Sequence, residues 1–416
     1  MFISGAQIRA VKALSWATDE TVCTNFLLIL CEHRRSIQAA LAVEAAKAAN
    51  AFLSADRLFK LFSNLWKPST IMLSNTKTFW LTASALLALA TLAAPAHAGK
   101  TLDAIKTRGQ LVCGVSSGVA GFSQADSSGK WSGLDVDVCR AIAASILGDA
   151  NKVKWVPLVS QQRFAAIQSG EVDILSRNTS WTLSRDASLG LAFTGVTYYD
   201  GQGFMVPVKS KIKSAKQLKN ATVCVQSGTT TEKNLSEFSR VNKLNIKPVV
   251  FEKFDAANAA YFSGRCQAYT ADASGLASIR NKEAQNPADH VVLAELISKE
   301  PLSPAVRRGD DEFFAIAKWV VFGLIEAEEN GITQANVDAL QSDSKDAAIN
   351  RLLGTTEDTG KLLGLNKAWM ANALKATGNY GEIFERNVGP KSPLGLPRGS
   401  NNLWSKGGLI YAPPVR

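Results

Sequence analysis

Residues 111–175 read LVCGVSSGVAGFSQADSSGKWSGLDVDVCRAIAASILGDANKVKWVPLVSQQRFAAIQSGEVDIL, and this run decides the fold class. Leu111–Val115 is a short apolar stretch that reads as a buried strand. A Gly/Ser-rich loop follows, then a helical pattern over Val138–Ile146. Val153–Leu158 reads as a second strand, Phe164–Ser169 as a helix that stops at Gly170, and Val172–Leu175 as a third strand. Strands alternating with helices in this order predict an α/β unit with a parallel sheet and helices on both faces.

The same grammar restarts downstream. Thr222–Gln226 (TVCVQ) reads as a strand, and the loop Ser227-Gly228-Thr229-Thr230-Thr231 leads into a helix from Glu232. Lys247–Phe251 is the next strand, Ala256–Phe262 a helix stopped at Gly264, and Cys266–Thr270 a strand again. Two similar modules in series predict two lobes. Tyr198–Val206 suits a first crossover strand between them, and a second crossover is expected near Val291–Ser298. After Asp310, FFAIAKWVVFGLIEAEENG predicts a long amphipathic helix ended by Gly331; Lys318 interrupts it and its apolar stretch is too short to span a membrane. The Pro- and Gly-rich C-terminus is expected to pack as an extended wrap. Ligands of open α/β sheets sit beyond the carboxyl ends of the strands, so two facing lobes put the pocket in the cleft between them, with hinge closure around the ligand.

At 416 residues the chain is long enough for two or three domains, and its 46% hydrophobic and 20% charged composition supports a globular core. Residues 72–98 read MLSNTKTFWLTASALLALATLAAPAHA. A short polar start with Lys77, an apolar run from Phe79 to Ala94 and the triplet Ala96-His97-Ala98 have the layout of a secretory signal cleaved after Ala98. Residues 1–71 are then expected to be a mis-assigned upstream start, the competing reading being a small helical domain. Nine of the cations and five of the carboxylates leave with residues 1–98, so the remainder is mildly basic. No basic run interleaved with aromatics occurs, which leaves nucleic-acid binding without support.

Cys113, Cys139, Cys224 and Cys266 remain after Ala98. An even number in an exported chain points to disulfides, with three connectivities open for four cysteines. None lies in C-x-x-C, and His290 is the only histidine left, so no metal site, no cofactor and no His-driven catalysis are expected.

Three clusters fall at predicted strand ends: Arg177–Asp186 (RNTSWTLSRD), Gly228–Thr231, and Thr270-Ala271-Asp272. Together they suit a zwitterion. A carboxylate wants a guanidinium fork and N–H donors such as a helix N-terminus supplies, and an ammonium wants a carboxylate and hydroxyls. Singly, Arg185 also fits a surface salt bridge, Thr229 and Thr230 a helix cap, and Asp272 an N-cap.

The segments RNTSWTLSRD, VCVQSGTTTE and AYTAD resemble the matching parts of type II periplasmic amino-acid-binding proteins. SGLDVDVCRAIAA, QRFAAIQSGEVDILSRNTSWT, GRCQAYTADASGLA, ISKEPLSPAVRRGDD, GNYGEIFERN and LIYAPPVR resemble the general L-amino-acid-binding subfamily. The likeness spans residues 99–416 and implies an α/β two-lobed fold, each lobe a sheet flanked by helices, joined by two crossover segments. Lobe 1 would comprise 99–200 and the return 298–416, and lobe 2 would comprise 201–297. By this resemblance Arg185 clamps the ligand α-carboxylate, helped by Thr230 and nearby backbone N–H groups, with Thr229 beside them in the same ligand-binding set. Asp272 takes the α-ammonium, with Ser180 and Asn178 completing its shell. Arg163 stands where an acidic-amino-acid-binding relative reads the side chain; a helix-start surface arginine is the alternative. Val119 replaces an aromatic lid, leaving Phe122 and Trp181 as substitutes. The resemblance also implies disulfides 113–139 and 224–266, each within a lobe, since a bridge between lobes would obstruct closure. The implied function is periplasmic capture of free L-amino acids by a monomer that delivers them to an inner-membrane ABC permease complex.

Two rivals share the scaffold. A lyase or dehydratase needs a tuned general acid or base. Only Asp272 offers itself, and the zwitterion already uses it. Gly354–Lys361 has five residues between its glycines rather than four and reads as a turn, not a phosphate loop. A sensory adaptor is the second rival, and it would have to dock on a separate receptor.

Overall fold

The structure is a computed structural model that describes residues 100–416. The expected signal at 72–98 and the upstream stretch 1–71 lie outside the described residues. A first helix α1 (Lys100–Arg108) leads into β1 (Leu111–Ser116), all six of whose residues are buried. There follow α2 (Leu134–Leu147), β2 (Val153–Leu158), α3 (Arg163–Ser169), β3 (Ile174–Leu175), α4 (Leu183–Ser188) and β4 (Leu191–Phe193). The chain then crosses on β5 (Tyr198–Asp200) into β6 (Gln202–Pro207), β7 (Thr222–Gln226), α5 (Thr230–Val241), β8 (Lys247–Phe251), α6 (Phe254–Phe262), β9 (Ala268–Asp272), α7 (Ala273–Glu283) and β10 (His290–Val292). It returns on β11 (Glu300–Leu302) to β12 (Ala305–Arg307), α8 (Asp311–Glu329) and the smaller helices α9 (Val337–Asp343), α10 (Ala347–Leu352), α11 (Trp369–Thr377) and α12 (Tyr380–Asn387).

Two five-stranded sheets result, in the orders β2-β1-β3-β12-β4 and β8-β7-β9-β6-β10. Each is mixed rather than wholly parallel. β1 runs parallel to β2 and β3, and β7 to β8 and β9. The strands that bring the chain across, β6 and β12, enter antiparallel. Local α/β grammar sees only the parallel units, because the antiparallel strands are the ones on which the chain arrives from the other lobe.

The crossover itself is a two-stranded antiparallel ribbon of β5 and β11, in which Glu300 faces Asp200. The second crossover therefore lies past Val291–Ser298. β10 belongs to the second sheet, paired with β6, and Ile297 still donates its N–H to the Gln202 carbonyl. Apolar Val291 and Val292 look alike as crossover or sheet, and only the pairing decides.

Helix α2 begins four residues before the apolar pattern over Val138–Ile146 suggests. Asp135 and Asp137 break the periodicity, yet both are buried. Asp137 accepts from Arg386 Nε at 2.9 Å and from Asn387 Nδ2 at 2.7 Å, so α12 supplies the polar partners that burial requires. Helix α8 turns Phe313, Ile316, Ala317, Val320, Val321 and Leu324 into the larger core at helical spacing. It packs closely on α11, where a Cβ at Gly323 would fall 2.3 Å from the Met370 sulfur. Each fully buried side chain of this kind contributes roughly 1.5–3 kcal/mol. No helix among the described residues is long and apolar enough to cross a membrane.

Cys113 in β1 is bonded to Cys139 in α2, and Cys224 in β7 to Cys266 just before β9, as the resemblance implied. The strand expected over Cys266–Thr270 starts and ends two residues later. Cys266 sits in the turn, so the strand runs Ala268–Asp272 and carries Asp272 as its last residue. The C-terminal tail forms two short 3-10 turns, the second enclosed by a Leu403–Ile410 bridge, before its last residues run on without regular structure. Gly354–Lys361 ends in another such turn, as expected.

Candidate functional site

The carboxyl ends of β1, β3, β7 and β9 face one another across the gap between the two sheets. A cavity of about 50 Å³ lies there, lined by Ser116 at the end of β1 and Val119 beyond it, by Arg163, Arg177, Asn178 and Ser180, and from the other lobe by Thr229–Thr231, Phe254 and Thr270–Asp272. Of the residues the sequence singled out, Arg163, Asn178, Ser180, Thr229, Thr230 and Asp272 share this wall. Arg185 lines an adjoining outer cavity of about 520 Å³, which meets the inner one at Ser160, Thr229 and Thr230.

Local structure places each group. Thr182 caps α4, its hydroxyl accepting from the Arg185 amide at 3.3 Å. Arg185 is 7% exposed rather than a surface residue, donates from Nη1 to the Ser180 carbonyl at 2.8 Å and lies over the Phe164 ring at 5.2 Å. Arg163 does begin a helix, but it too is buried. Its guanidinium lies over the Phe164 ring at 4.8 Å, its hydrogen bonds are long, to Thr179 Oγ1 at 3.5 Å and to the Gly228 carbonyl at 3.4 Å, and its Nε has no hydrogen-bond partner among the described residues.

Asn178 adopts φ 33°, a left-handed conformation that asparagine tolerates, and its N–H is held by Asp135 Oδ2 at 2.8 Å. Thr229 is the N-cap of α5, accepting from the Glu232 amide at 3.1 Å. Asp272 occupies the N-cap position of α7 without capping it, so its carboxylate faces the cavity instead. Gly228 has φ 72°, and a Cβ there would meet the Gln161 side chain at 2.8 Å, so the two lobes touch at this glycine.

Further contacts close the gap. Ser160 Oγ donates to Gln226 Oε1 at 3.0 Å, and the Ser180 and Thr230 hydroxyls are 3.5 Å apart. The structure is thus in a closed state.

The electrostatics are strained in a way that fits a polar ligand. Burial holds Asp272 well above the usual carboxylate range. The Asp200 and Glu300 carboxylates add to this, and Arg163 and Arg185 oppose it. Burial likewise pushes Asp200 up to about 6, and lowers Arg163 well below the usual guanidinium range and Arg177 to about 10. Asn178 Oδ1 and the Tyr269 hydroxyl, both on the cavity wall, are buried without partners among the described residues. No group of three or more His, Cys, Asp or Glu side chains able to hold a metal occurs among the described residues.

Three residues escaped the sequence, and a fourth, Arg177, stood in the first cluster without a role. Arg177 donates from Nε to the Leu158 carbonyl at 2.9 Å and from Nη2 to Ser160 Oγ at 3.0 Å, bracing the loops after β2 and β3. Asp135, raised to about 6 by burial, anchors Asn178 from below. Glu300 is buried on the crossover strand. Phe254 supplies the aromatic wall expected of Phe122 or Trp181. Phe122 is core, edge-on to Tyr198 at 5.3 Å, and Trp181 stacks on Phe193 outside the cavity. A charged residue two positions after a strand, as Arg177 is, was the one visible signal.

Two mixed α/β lobes on a two-strand crossover, closing over a polar cavity, define a type II periplasmic binding protein. Residues 111–388 match the bacterial extracellular solute-binding proteins, family 3, and the chain belongs to that family. It is 53% identical to the general L-amino acid-binding periplasmic protein AapJ of Rhizobium johnstonii, over 80% of this chain and 98% of that one. It is 49% identical to the glutamate/glutamine/aspartate/asparagine-binding protein BztA of Rhodobacter capsulatus, over 79% and 97% of the respective chains. A periplasmic binding protein from Brucella ovis, solved with glutathione bound, shares the fold at a TM-score of 0.74 and 53% identity, over 76% of this chain and 99% of that one.

Proposed function

We propose that this chain is the solute-binding component of an amino-acid ABC transporter, holding free L-amino acids of broad side-chain type as zwitterions between its lobes. The observation that carries the reading is the meeting of Asp272 from one lobe with Arg163, Asn178 and Ser180 from the other in one cavity, with Arg185 in the adjoining outer cavity. The ammonium lies against Asp272, Ser180 and Asn178. The α-carboxylate lies between Arg185 and the N–H groups that open α5, with Thr229 and Thr230 at that helix start. The side chain extends toward Val119, Phe254, Arg163 and Arg177, where the unpaired Arg163 Nε and Asn178 Oδ1 give it polar partners.

Such a site binds rather than turns over: Asp272 is matched to an ammonium, and the relatives' names are those of binding proteins. The lobe division at 200/201 and 297/298, export by the 72–98 segment to the periplasm, action as a monomer and docking on an inner-membrane permease complex belong to the same proposal. Capture follows from differential affinity for the closed state. The outer cavity, together with the glutathione held by the Brucella ovis relative, favours a second reading in which the ligand carries a peptide extension.

Calorimetric titration of residues 99–416, refolded to strip carried-over ligand, against L-amino acids, D-amino acids and glutathione tests both readings. Binding of many L-forms and few D-forms is expected. Binding of glutathione alone selects the second reading, and no binding by a folded protein removes both.

A further inference from the structure

Glu300 stands at the junction of three parts of the molecule. It lies on crossover strand β11, opposite Asp200 of β5, and is 1% exposed. Ser298 Oγ and Asn234 Nδ2 both donate to its Oε1, at 2.6 and 2.9 Å, and Thr230 Oγ1 donates to its Oε2 at 2.8 Å. Three polar side chains thus converge on one buried carboxyl group, Asn234 as an amide donor and Ser298 and Thr230 through hydroxyls that donate to a carboxylate. Glu300 is not on the cavity wall; Thr230 stands between it and the cavity.

A threonine hydroxyl has one proton and two lone pairs. The Thr230 proton is committed to Glu300, so the face that Thr230 turns to the cavity offers lone pairs alone. A carboxylate there would meet an acceptor and be repelled. An ammonium would gain one. Ser180 Oγ, 3.5 Å from Thr230 Oγ1, and Asp272 line the same wall. Ser180 is itself bridged to β11 at Leu302, and Trp181 N–H donates to the Pro301 carbonyl at 2.8 Å, so one strand fixes both hydroxyl-bearing residues.

We propose that Glu300 is a positioning residue that polarises the Thr230 hydroxyl, making Thr230 an acceptor for the ligand ammonium rather than a donor to its carboxylate. This rests on the amino-acid reading above and changes the role that the resemblance gave the Thr230 side chain. Recognition of the carboxylate then falls to Arg185 and backbone N–H groups, and selectivity for an amine over its absence is set partly from the crossover strand.

The test uses residues 99–416 and two probes, L-glutamine and its des-amino analogue glutaramate, which keeps the carboxylate and the side chain. Kd is measured by calorimetry for one and by displacement for the other. In Glu300→Gln the carboxamide keeps an oxygen for Ser298 and Asn234 but turns N–H donors toward Thr230, so the Thr230 proton swings to the cavity. L-glutamine is expected to weaken about tenfold to a hundredfold, the range for a hydrogen bond to a charged group, and glutaramate by less than about threefold. Thr230→Val should give the same selective loss, Thr230→Ser should restore discrimination, and Glu300→Gln should add little further loss in the Thr230→Val background. If Glu300→Gln does not fold, the Thr230→Val and Thr230→Ser pair decides alone. Equal weakening of both probes, or additive losses in the double variant, would overturn the proposal. Failure of wild-type protein to bind any L-amino acid would instead remove the reading on which it rests.

Discussion

Asn401 is clamped to the backbone of Tyr199, 202 positions earlier: its Oδ1 accepts the Tyr199 amide hydrogen at 2.6 Å and its Nδ2 donates to the Tyr199 carbonyl at 3.2 Å. The C-terminal tail thereby completes the hydrogen bonding of β5, the outgoing half of the crossover ribbon. Arg398, a few residues earlier, pairs with Glu328 at 3.1 Å and lies over the Phe384 ring at 4.7 Å, fixing the tail to α8 and α12. Asn401→Ala leaves two half-buried backbone groups without this partner and should destabilise by about 1–3 kcal/mol, read as a lower midpoint in urea denaturation. An unchanged midpoint would mean that the tail does not hold the crossover.

The two disulfides lie each within one sheet-and-helix layer, so they leave the hinge free. The sequence separations of 26 and 42 residues correspond to loop-closure stabilisation of roughly 3–4 kcal/mol each in the chain-entropy account. Non-reducing peptide mapping should recover Cys113–Cys139 and Cys224–Cys266. A double Cys→Ser variant of either pair should lose stability by up to about that amount. A bridge joining Cys113 or Cys139 to Cys224 or Cys266 would contradict the two-lobe assignment.

Gly228 meets Gln161 only because the lobes are closed. Gly228→Ala adds a methyl group 2.8 Å from the Gln161 side chain at a left-handed φ of 72°. Its effect should fall on closure, weakening ligand binding by roughly tenfold, on the order of 1–2 kcal/mol of local strain. Calorimetry should report that loss with the far-UV circular dichroism unchanged. Undiminished affinity would show that the contact does not gate closure.

Asp135 and Asp200 are both pushed up to about 6, chiefly by burial, while unfolded aspartates titrate near 3.8. Between those values these two groups bind more protons in the folded protein than in the unfolded chain, so their contribution to stability falls as pH rises from about 4 to about 6, and Asp272, held higher still by burial, carries the decline further. Each group accounts for about 3 kcal/mol at most. Thermal melts of ligand-free protein across that range should show the decline, and Asp135→Asn should flatten part of it. A midpoint that rises over the same interval would contradict the burial of these carboxylates.

Much of this was legible beforehand. Val153–Leu158, Thr222–Gln226 and Lys247–Phe251 form strands with the bounds that their apolar runs suggest. The Gly-Thr-Thr-Thr turn does open a helix, and Asp272 and Arg163 do reach one cavity from different sheets. What stayed hidden depends on distant partners. Asp135 and Asp137 look like solvent-facing breaks in a helix until Asn178, Arg386 and Asn387 arrive to pair with them. Glu300 sits in the polar stretch SKEP and reads as surface, and only Thr230 and Asn234, 70 and 66 positions away, make it interior. Phe254 became the cavity wall through the placement of α6, which no local pattern specifies.

Zwitterion capture is tested most directly by titrating one L-amino acid that binds, its decarboxylated amine and its des-amino acid into wild-type protein and into Arg185→Ala and Asp272→Asn. Wild type should bind the amino acid and reject both fragments. Arg185→Ala should lose the amino acid by about a hundredfold or more and no longer distinguish it from the amine. Asp272→Asn should lose it similarly and no longer distinguish it from the des-amino acid. Full affinity in both folded variants would place the ligand elsewhere and contradict the site described for this chain.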